Sequence, residues 1–73
     1  MSRLADMKVG QTARVVAVDG VDEISIRLLE MGLTPGVEIK LLGTAPLGDP
    51  LEFELRGYRL SIRKSEASRV AIQ

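Results

Sequence analysis

The sequence predicts a mainly β fold: a small barrel of about five short strands, with one short α-helix after the first strand and a short helical turn before the last. Apolar and polar residues alternate in segments of about five to seven residues, which is typical of half-buried strands. Clusters of Gly, Pro and Asp separate these segments. Such short strands are too few for two full sheets, and a closed barrel buries them most economically.

The first predicted strand covers residues 12–18, which are rich in β-branched side chains and alternate around Arg14. The helix follows Asp22, a good N-cap residue, and ends before Gly32, which suits the position after a helix C-cap. One stripe of this helix faces the core and consists of Ile24, Leu28 and Met31.

Ile26 and Leu29 fall together on a different side of the helix. Two interpretations are open. The helix sits in a groove of the same chain and buries both residues, or Ile26 and Leu29 belong to a surface for a partner.

The next segment predicts a turn, a strand and a loop. Leu33 lies where a Schellman motif makes its apolar contact. Residues 34–37 have Pro second and Gly third, the pattern of a type II turn. Residues 37–41 alternate and predict a strand. The two prolines in residues 45–50 exclude a helix or a strand interior there, which predicts a loop.

A hairpin is predicted from residues 51–56 and 59–63, with Gly57-Tyr58 as its two-residue turn. In this register Arg56 faces Arg59, and a shift by one residue would move every apolar side chain to the wrong face. The apolar side chains that share one face are Phe53, Leu55, Leu60 and Ile62. Ser65 is the expected cap of the short helical turn, and residues 70–72 form the last predicted strand.

The composition excludes several functions. The 73 residues include no His and no Cys, and the formal net charge is zero. Without imidazole or thiolate groups, we expect no enzyme, no metal site and no cofactor. Phe53 and Tyr58 are the only aromatic residues, so the stacking platform and basic surface of a nucleic-acid-binding protein are missing.

Neither a signal peptide nor a membrane span is visible, so we expect a cytoplasmic chain without direct membrane insertion. Without a linker-like segment, residues 1–73 are expected to form a single domain.

Residues 27–36 have the sequence RLLEMGLTPG, and residues 46–50 have the sequence PLGDP. Together with the later Gly57-Tyr58, Leu60, Arg63 and Glu66-Ala67, they resemble the FeoA family of bacterial ferrous iron transport accessory proteins. The likeness runs from about Leu4 to Ile72. It implies an SH3-like barrel, in agreement with the strands predicted above.

The resemblance also implies a partner. A member of this family is expected to act by protein-protein contact with the cytosolic part of FeoB, a membrane transporter with a GTPase domain. The alternative is an SH3-like regulatory domain of the kind found in DtxR-type metal-dependent repressors, because the fold alone does not decide the function.

Leu47 and Asp49 are the first candidates for partner contact. The prolines around them stiffen the loop and lower the ordering cost of binding, while Leu47 offers an apolar tip and Asp49 a charge. Alternatively, the loop is a structural turn in which Asp49 bonds its own backbone. If the loop binds a partner, Leu47→Asp or a charge reversal at Asp49 weakens that contact and leaves the thermal melt nearly unchanged.

Three arginines complete the candidate set. Like charges directly opposite on a hairpin cost roughly 0.2–1 kcal/mol, so a sequence selected for stability alone would not place Arg56 opposite Arg59. The pair therefore suggests a surface for an acidic partner. A solvated hairpin tip balanced by nearby glutamates is the alternative. Arg27 either pairs with Glu30, three residues further along the helix, or anchors the turn that follows.

Overall fold

The computed structural model describes residues 2–73, so residue 1 of the predicted domain lies outside the described residues. The described chain has six strands, two α-helices and a 3₁₀ turn at Leu4–Asp6. The strands are β1 (Ser2–Arg3), β2 (Thr12–Val18), β3 (Glu38–Thr44), β4 (Leu51–Leu55), β5 (Tyr58–Ile62) and β6 (Val70–Ile72). The helices are α1 (Glu23–Glu30) and α2 (Lys64–Ala67).

The predicted mainly β class is confirmed, and the strand number of about five is corrected to six. The additional strand is β1, which pairs Ser2 with Ile72 and Arg3 with Ala71. Two residues are too short for any alternation of apolar and polar side chains, so the sequence carries no periodic signal for this strand.

The six strands form one antiparallel sheet in the order β1-β6-β2-β3-β4-β5. Strand β2 joins its two halves, since Thr12–Arg14 pair with β3 whereas Val15–Val18 pair with β6. The register shifts between Val15 and Ala17 and again between Leu41 and Gly43. Such bulges bend a sheet, which lets its inner face curve around one core.

One apolar cluster fills the inside of the curved sheet and takes residues from β2–β6, both helices and the 3₁₀ turn. Phe53, at the centre of β4, is completely buried. Its neighbours in β4 alternate as the sequence predicts, with Leu51 and Leu55 inside and Glu52 and Glu54 outside.

The predicted ends of α1 are confirmed. The Asp22 carboxylate accepts the Ser25 backbone N–H at 3.1 Å. At the other end, the Leu33 N–H donates to the Leu28 carbonyl and the Gly32 N–H to the Leu29 carbonyl, which is the Schellman pattern. Gly32 has φ +110°, a conformation that glycine adopts without strain. Leu33 is buried.

The predicted hairpin register is wrong by two residues. The turn residues are Arg56 and Gly57, with φ +52° and +83°, and Leu55 pairs with Tyr58. Positive φ at both turn positions is typical of a type I′ turn. Consequently Arg59 lies opposite Glu54 rather than opposite Arg56. A shift by two residues keeps every side chain on its face, so the apolar pattern fits both registers equally well.

The expected cap of α2 is also wrong. The N-cap position is Arg63, which makes no side-chain cap, and Ser65 lies inside the helix. The Lys64 N–H instead donates to the Asp49 carboxylate at 2.8 Å. The cap therefore comes from the loop before β4, fifteen residues earlier in the chain.

Candidate interaction surface

The outer face of α1 carries two exposed apolar side chains. Ile26 is 52% exposed and Leu29 is 40% exposed, so the interpretation that a groove buries both is wrong. The opposite stripe packs inward as predicted, with Leu28 buried and both Ile24 and Met31 against the core. Ile26 and Leu29 therefore form an apolar surface on a capped helix.

Arg27 lies on the same exposed side of α1 and binds α2. Its guanidinium donates to the Glu66 carboxylate. Of the two alternatives for Arg27, pairing with Glu30 is replaced by a contact between residues 39 positions apart. Half of the Arg27 side chain stays exposed, whereas the Glu66 side chain is mostly covered. Arg27 anchors the second helix and not the turn that follows its own.

The loop between β3 and β4 presents Leu47 and uses Asp49 internally. The Leu47 side chain is 97% exposed. The loop is held by its own backbone, since the Gly48 N–H donates to the Ala45 carbonyl at 2.7 Å and the Ala45 N–H to the Pro50 carbonyl at 3.0 Å. The Asp49 carboxylate caps α2. It therefore binds the N-terminus of a helix and not the backbone of its own loop.

Helix α2 thus connects two of the candidate residues. It has only four residues, which is too short to be stable without tertiary contacts. Asp49 holds its first N–H, and Arg27 holds Glu66 in its middle. The sequence predicts neither contact, because each joins residues far apart in the chain and follows no periodic pattern.

The hairpin tip is fastened to the end of α1 by Tyr58. The Tyr58 hydroxyl donates to the Met31 carbonyl. A Cβ atom at Gly32 would lie only 2.6 Å from this hydroxyl. Gly32 therefore provides both the left-handed backbone and the space that the tyrosine needs. This contact was not predicted, because it depends on the true hairpin register.

Arg56 and Arg59 are exposed and do not face one another. Among residues 2–73, four ion pairs have N–O distances of 4.0 Å or less: Arg3–Asp19, Arg14–Glu38, Arg27–Glu66 and Arg69–Asp22. In this part of the chain, neither Arg56 nor Arg59 belongs to such a pair. The like-charge repulsion expected from the predicted register therefore does not arise.

Asp22 has an additional partner that the sequence did not suggest. The Arg69 guanidinium donates to the Asp22 carboxylate at 2.7 Å, next to the hydrogen bond from the Ser25 backbone. The Arg69 contact and then the Ser25 N–H hold the pKa of Asp22 below its ordinary value of 3.8, because both favour the charged form. This pair connects the start of α1 to the residue before β6.

In the described part of the chain, no group of three or more acidic side chains lies close enough together to hold a metal ion. Over the same residues, neither helix has the length and apolar character that a membrane span requires. The surface features that the structure shows are the apolar outer face of α1, the exposed Leu47 and the exposed Arg56 and Arg59.

Comparison with known proteins gives a family match over the same residues. A family model described as the FeoA domain matches residues 2–73. A Porphyromonas gingivalis protein, a fusion of Fe(2+) transport protein A with the Fe(2+) transporter FeoB, is 32% identical over 71 residues. The match covers 97% of this chain and 8% of that protein, so the chain spans less than a tenth of its length.

Solved structures show the same fold. The FeoA-like protein from Clostridium acetobutylicum has a TM-score of 0.92 and 33% identity, covering 99% of this chain and 84% of that one. Stenotrophomonas maltophilia FeoA complexed with zinc, described as a prokaryotic SH3 domain protein, has a TM-score of 0.87 and 30% identity. That match covers 100% of this chain and 91% of the other. The expected SH3-like fold is confirmed.

A regulator shares the fold as well. The manganese regulator SloR has a TM-score of 0.83 with 18% identity, covering 99% of this chain and 34% of that one. At this identity the likeness concerns the fold alone.

Proposed function

The chain belongs to the FeoA family, and we propose that it is a cytoplasmic accessory module of ferrous iron transport that contacts the cytosolic part of a FeoB-type GTPase transporter. One observation carries this proposal. In the P. gingivalis fusion, Fe(2+) transport protein A and FeoB are parts of one chain. Covalent linkage keeps two modules at a high effective concentration, and a separate chain of the same family needs a binding surface to achieve the same association.

The proposed action is binding and not catalysis. The chain has no His and no Cys, which removes the side chains that most often act as general base or thiolate nucleophile near pH 7. Two of its acidic side chains, Asp22 and Asp49, serve as helix caps, and others form the ion pairs given above. These observations support a module that transmits its effect through contact with its partner.

The proposed contact surface consists of Ile26, Leu29 and Leu47. Ile26 and Leu29 project from a helix that is capped at both ends, and Leu47 projects from a loop with internal backbone hydrogen bonds. Apolar groups on preorganised backbone lose little conformational entropy when they bind. Arg27 adds a half-exposed charge beside this surface. A substitution of Asp49 cannot test binding alone, because it would also remove the cap of α2.

Matched substitutions test this surface. Val21 is 96% exposed and Val9 is 63% exposed, so they serve as controls for Leu47 and Ile26. We expect Leu47→Asp and Ile26→Asp to weaken binding to the cytosolic part of FeoB by about tenfold or more, because a buried carboxylate lacks a partner at an apolar contact. Val21→Asp and Val9→Asp should bind as wild type does.

Calorimetry on the four variants, with thermal melts in parallel, distinguishes the outcomes. Unchanged affinity in all four would contradict the proposed surface. The regulatory alternative of the DtxR type has only the shared fold to support it, and no feature of this chain favours it further.

A further inference from the structure

The outer edge of β5 has free backbone groups. β5 is the last strand of the sheet, with β4 as its single neighbour within the described residues. The residues that flank a two-residue hairpin turn exchange both backbone hydrogen bonds, and such pairs then alternate with unbonded pairs. Leu55–Tyr58 is the first bonded pair and Phe53–Leu60 the next. The N–H and C=O groups of Arg59 and Ser61 therefore point away from the sheet.

The side chains along this edge are basic on one face and apolar on the other. Arg59 is exposed on β5, with Glu54 directly opposite it on β4. Arg63 is the exposed residue that follows the strand, and it lines a depression together with Asp49 and Pro50. In the region that the structure describes, neither arginine lies within 4.0 Å of a carboxylate. The nearest acidic residues across the strand pair, Glu52 and Glu54, belong to β4, about 5 Å further from the edge. Leu60, on the inner face, is only partly buried.

We propose that the β5 edge binds an extended acidic segment of a partner protein, which adds to the sheet as a further strand. The outward N–H and C=O groups of Arg59 and Ser61 supply the backbone hydrogen bonds, as in other cases of strand addition. Acidic side chains of the segment face Arg59 and Arg63. The apolar side chains that alternate with them lie on the inner face of the sheet, next to Leu60. Glu52, Arg59, Leu60 and Ser61 line a shallow depression beside this edge.

The positive charge of Arg59 and Arg63 favours an acidic segment at this edge over a second copy of the chain. Two β5 strands paired edge to edge would bring the arginines of one copy next to those of the other. Like charges on neighbouring strands are destabilising, and charged edge residues are a common protection against such pairing. An acidic segment turns the same arginines into an attraction.

The inference does not depend on the proposed function. The β5 edge is separate from Ile26, Leu29 and Leu47, and its test uses peptides and not the transporter. A failure of one proposal leaves the other standing.

The probe is the peptide Val-Glu-Val-Glu-Val-Glu-Val with blocked ends, and its matched control has Lys in place of Glu. The chain is small enough for amide shifts to be followed residue by residue in the nuclear magnetic resonance spectrum. We expect the Glu peptide to shift the amides of Tyr58–Ile62 in a saturable way, more weakly at high salt. The Lys peptide should cause no such shifts.

Two variants separate the backbone from the charge. Ser61→Pro removes one outward N–H without removing a bond to β4, and proline is tolerated at such edge positions. It should weaken binding by about tenfold or more, whereas Ser61→Ala should not. Arg59→Glu should abolish binding of the Glu peptide and permit binding of the Lys peptide.

Three results would overturn the proposal. The first is no saturable shift with the Glu peptide. The second is equal binding of both peptides. The third is a concentration-dependent dimer of the peptide-free chain that Ser61→Pro dissociates, because a second copy would then be the occupant.

Discussion

Asp49 shows how a single carboxylate can join two distant parts of this chain. The sequence pattern suggests a charge presented to a partner, whereas the structure places that charge on the first N–H of α2. A negative group at a helix N-terminus also interacts favourably with the helix dipole. The expectation that a charge reversal at Asp49 leaves the melt unchanged is therefore replaced.

Asp49→Ala should lower the free energy of unfolding by about 0.5–2 kcal/mol, the usual cost of losing an N-cap side chain. Asp49→Asn is the matched control, because its amide oxygen can still accept the Lys64 N–H. Urea denaturation measures both variants. A stability of Asp49→Ala equal to that of wild type would show that this cap contributes nothing.

The lowered pKa of Asp22 predicts a specific pH dependence. The depressed value in the folded state means that the charged carboxylate stabilises the fold above about pH 4, the ordinary range of this group in an unfolded chain. That stabilisation is lost as the pH falls through the folded-state pKa. The protein should therefore lose stability on acidification from pH 6 to pH 3.

Asp22→Asn keeps an N-cap side chain but cannot titrate. Its stability should fall less steeply than that of wild type between pH 6 and pH 3, because the titration linked to Arg69 and Ser25 is absent. Thermal melts across this pH range provide the comparison. Parallel profiles for the two proteins would exclude a contribution from Asp22.

The end of α1 and the tip of the β4–β5 hairpin are joined by one contact. Tyr58 donates its hydroxyl hydrogen to the Met31 carbonyl, and the absence of a side chain at Gly32 makes room for it. The hairpin that carries Arg56 and Arg59 is thereby fixed relative to the helix that carries Ile26 and Leu29. This contact therefore joins the strand of one proposed binding surface to the helix that carries Ile26 and Leu29 of the other.

Gly32→Ala should destabilise the fold by more than about 1 kcal/mol, because its φ is positive and its Cβ would meet the Tyr58 hydroxyl. Tyr58→Phe alone should cost about 0.5–1.5 kcal/mol, the usual value of one hydrogen bond. In the double variant the colliding oxygen is absent, so its total cost should be smaller than the sum of the two. Strict additivity in urea denaturation would show that Gly32 and Tyr58 act independently.

The register of the same hairpin could not be predicted from the alternation of apolar and polar residues. Alternation predicted the two strands and their buried faces, but it distinguishes registers only when they differ by an odd number of residues. The turn itself decides the register, and a turn at Arg56-Gly57 requires a positive φ at an arginine. Because non-glycine residues adopt this conformation uncommonly, the sequence favoured Gly57-Tyr58 instead.

Across the whole chain, signals from residues close in sequence predicted the fold but did not predict the contacts between distant surface side chains. Strand alternation, the Asp22 cap and the Schellman end of α1 each depend on residues close in sequence, and the structure has all three. The Arg27–Glu66 pair and the Asp49 cap join residues 39 and 15 positions apart. Such contacts exist only after the sheet has folded around its core, so no spacing rule predicts them.

The small core makes the fold sensitive to loss of its one phenylalanine. Phe53 is fully buried at the centre of the apolar cluster, so Phe53→Ala should cost about 3–5 kcal/mol. That is a large share of the about 5–15 kcal/mol that stabilises a typical domain. Circular dichroism should show a largely unfolded or strongly destabilised protein, and Phe53→Leu should retain more stability. A cooperative melt near that of wild type for Phe53→Ala would contradict this view of the core.

The proposed association with the transporter remains the main functional inference for the whole molecule. Titration calorimetry of the wild-type chain into the purified cytosolic part of FeoB from the same organism tests it most directly. We expect saturable binding that Leu47→Asp weakens and Val21→Asp does not. No detectable binding at concentrations up to about 1 mM, equivalent to a free energy weaker than about −4 kcal/mol, would contradict the proposed function.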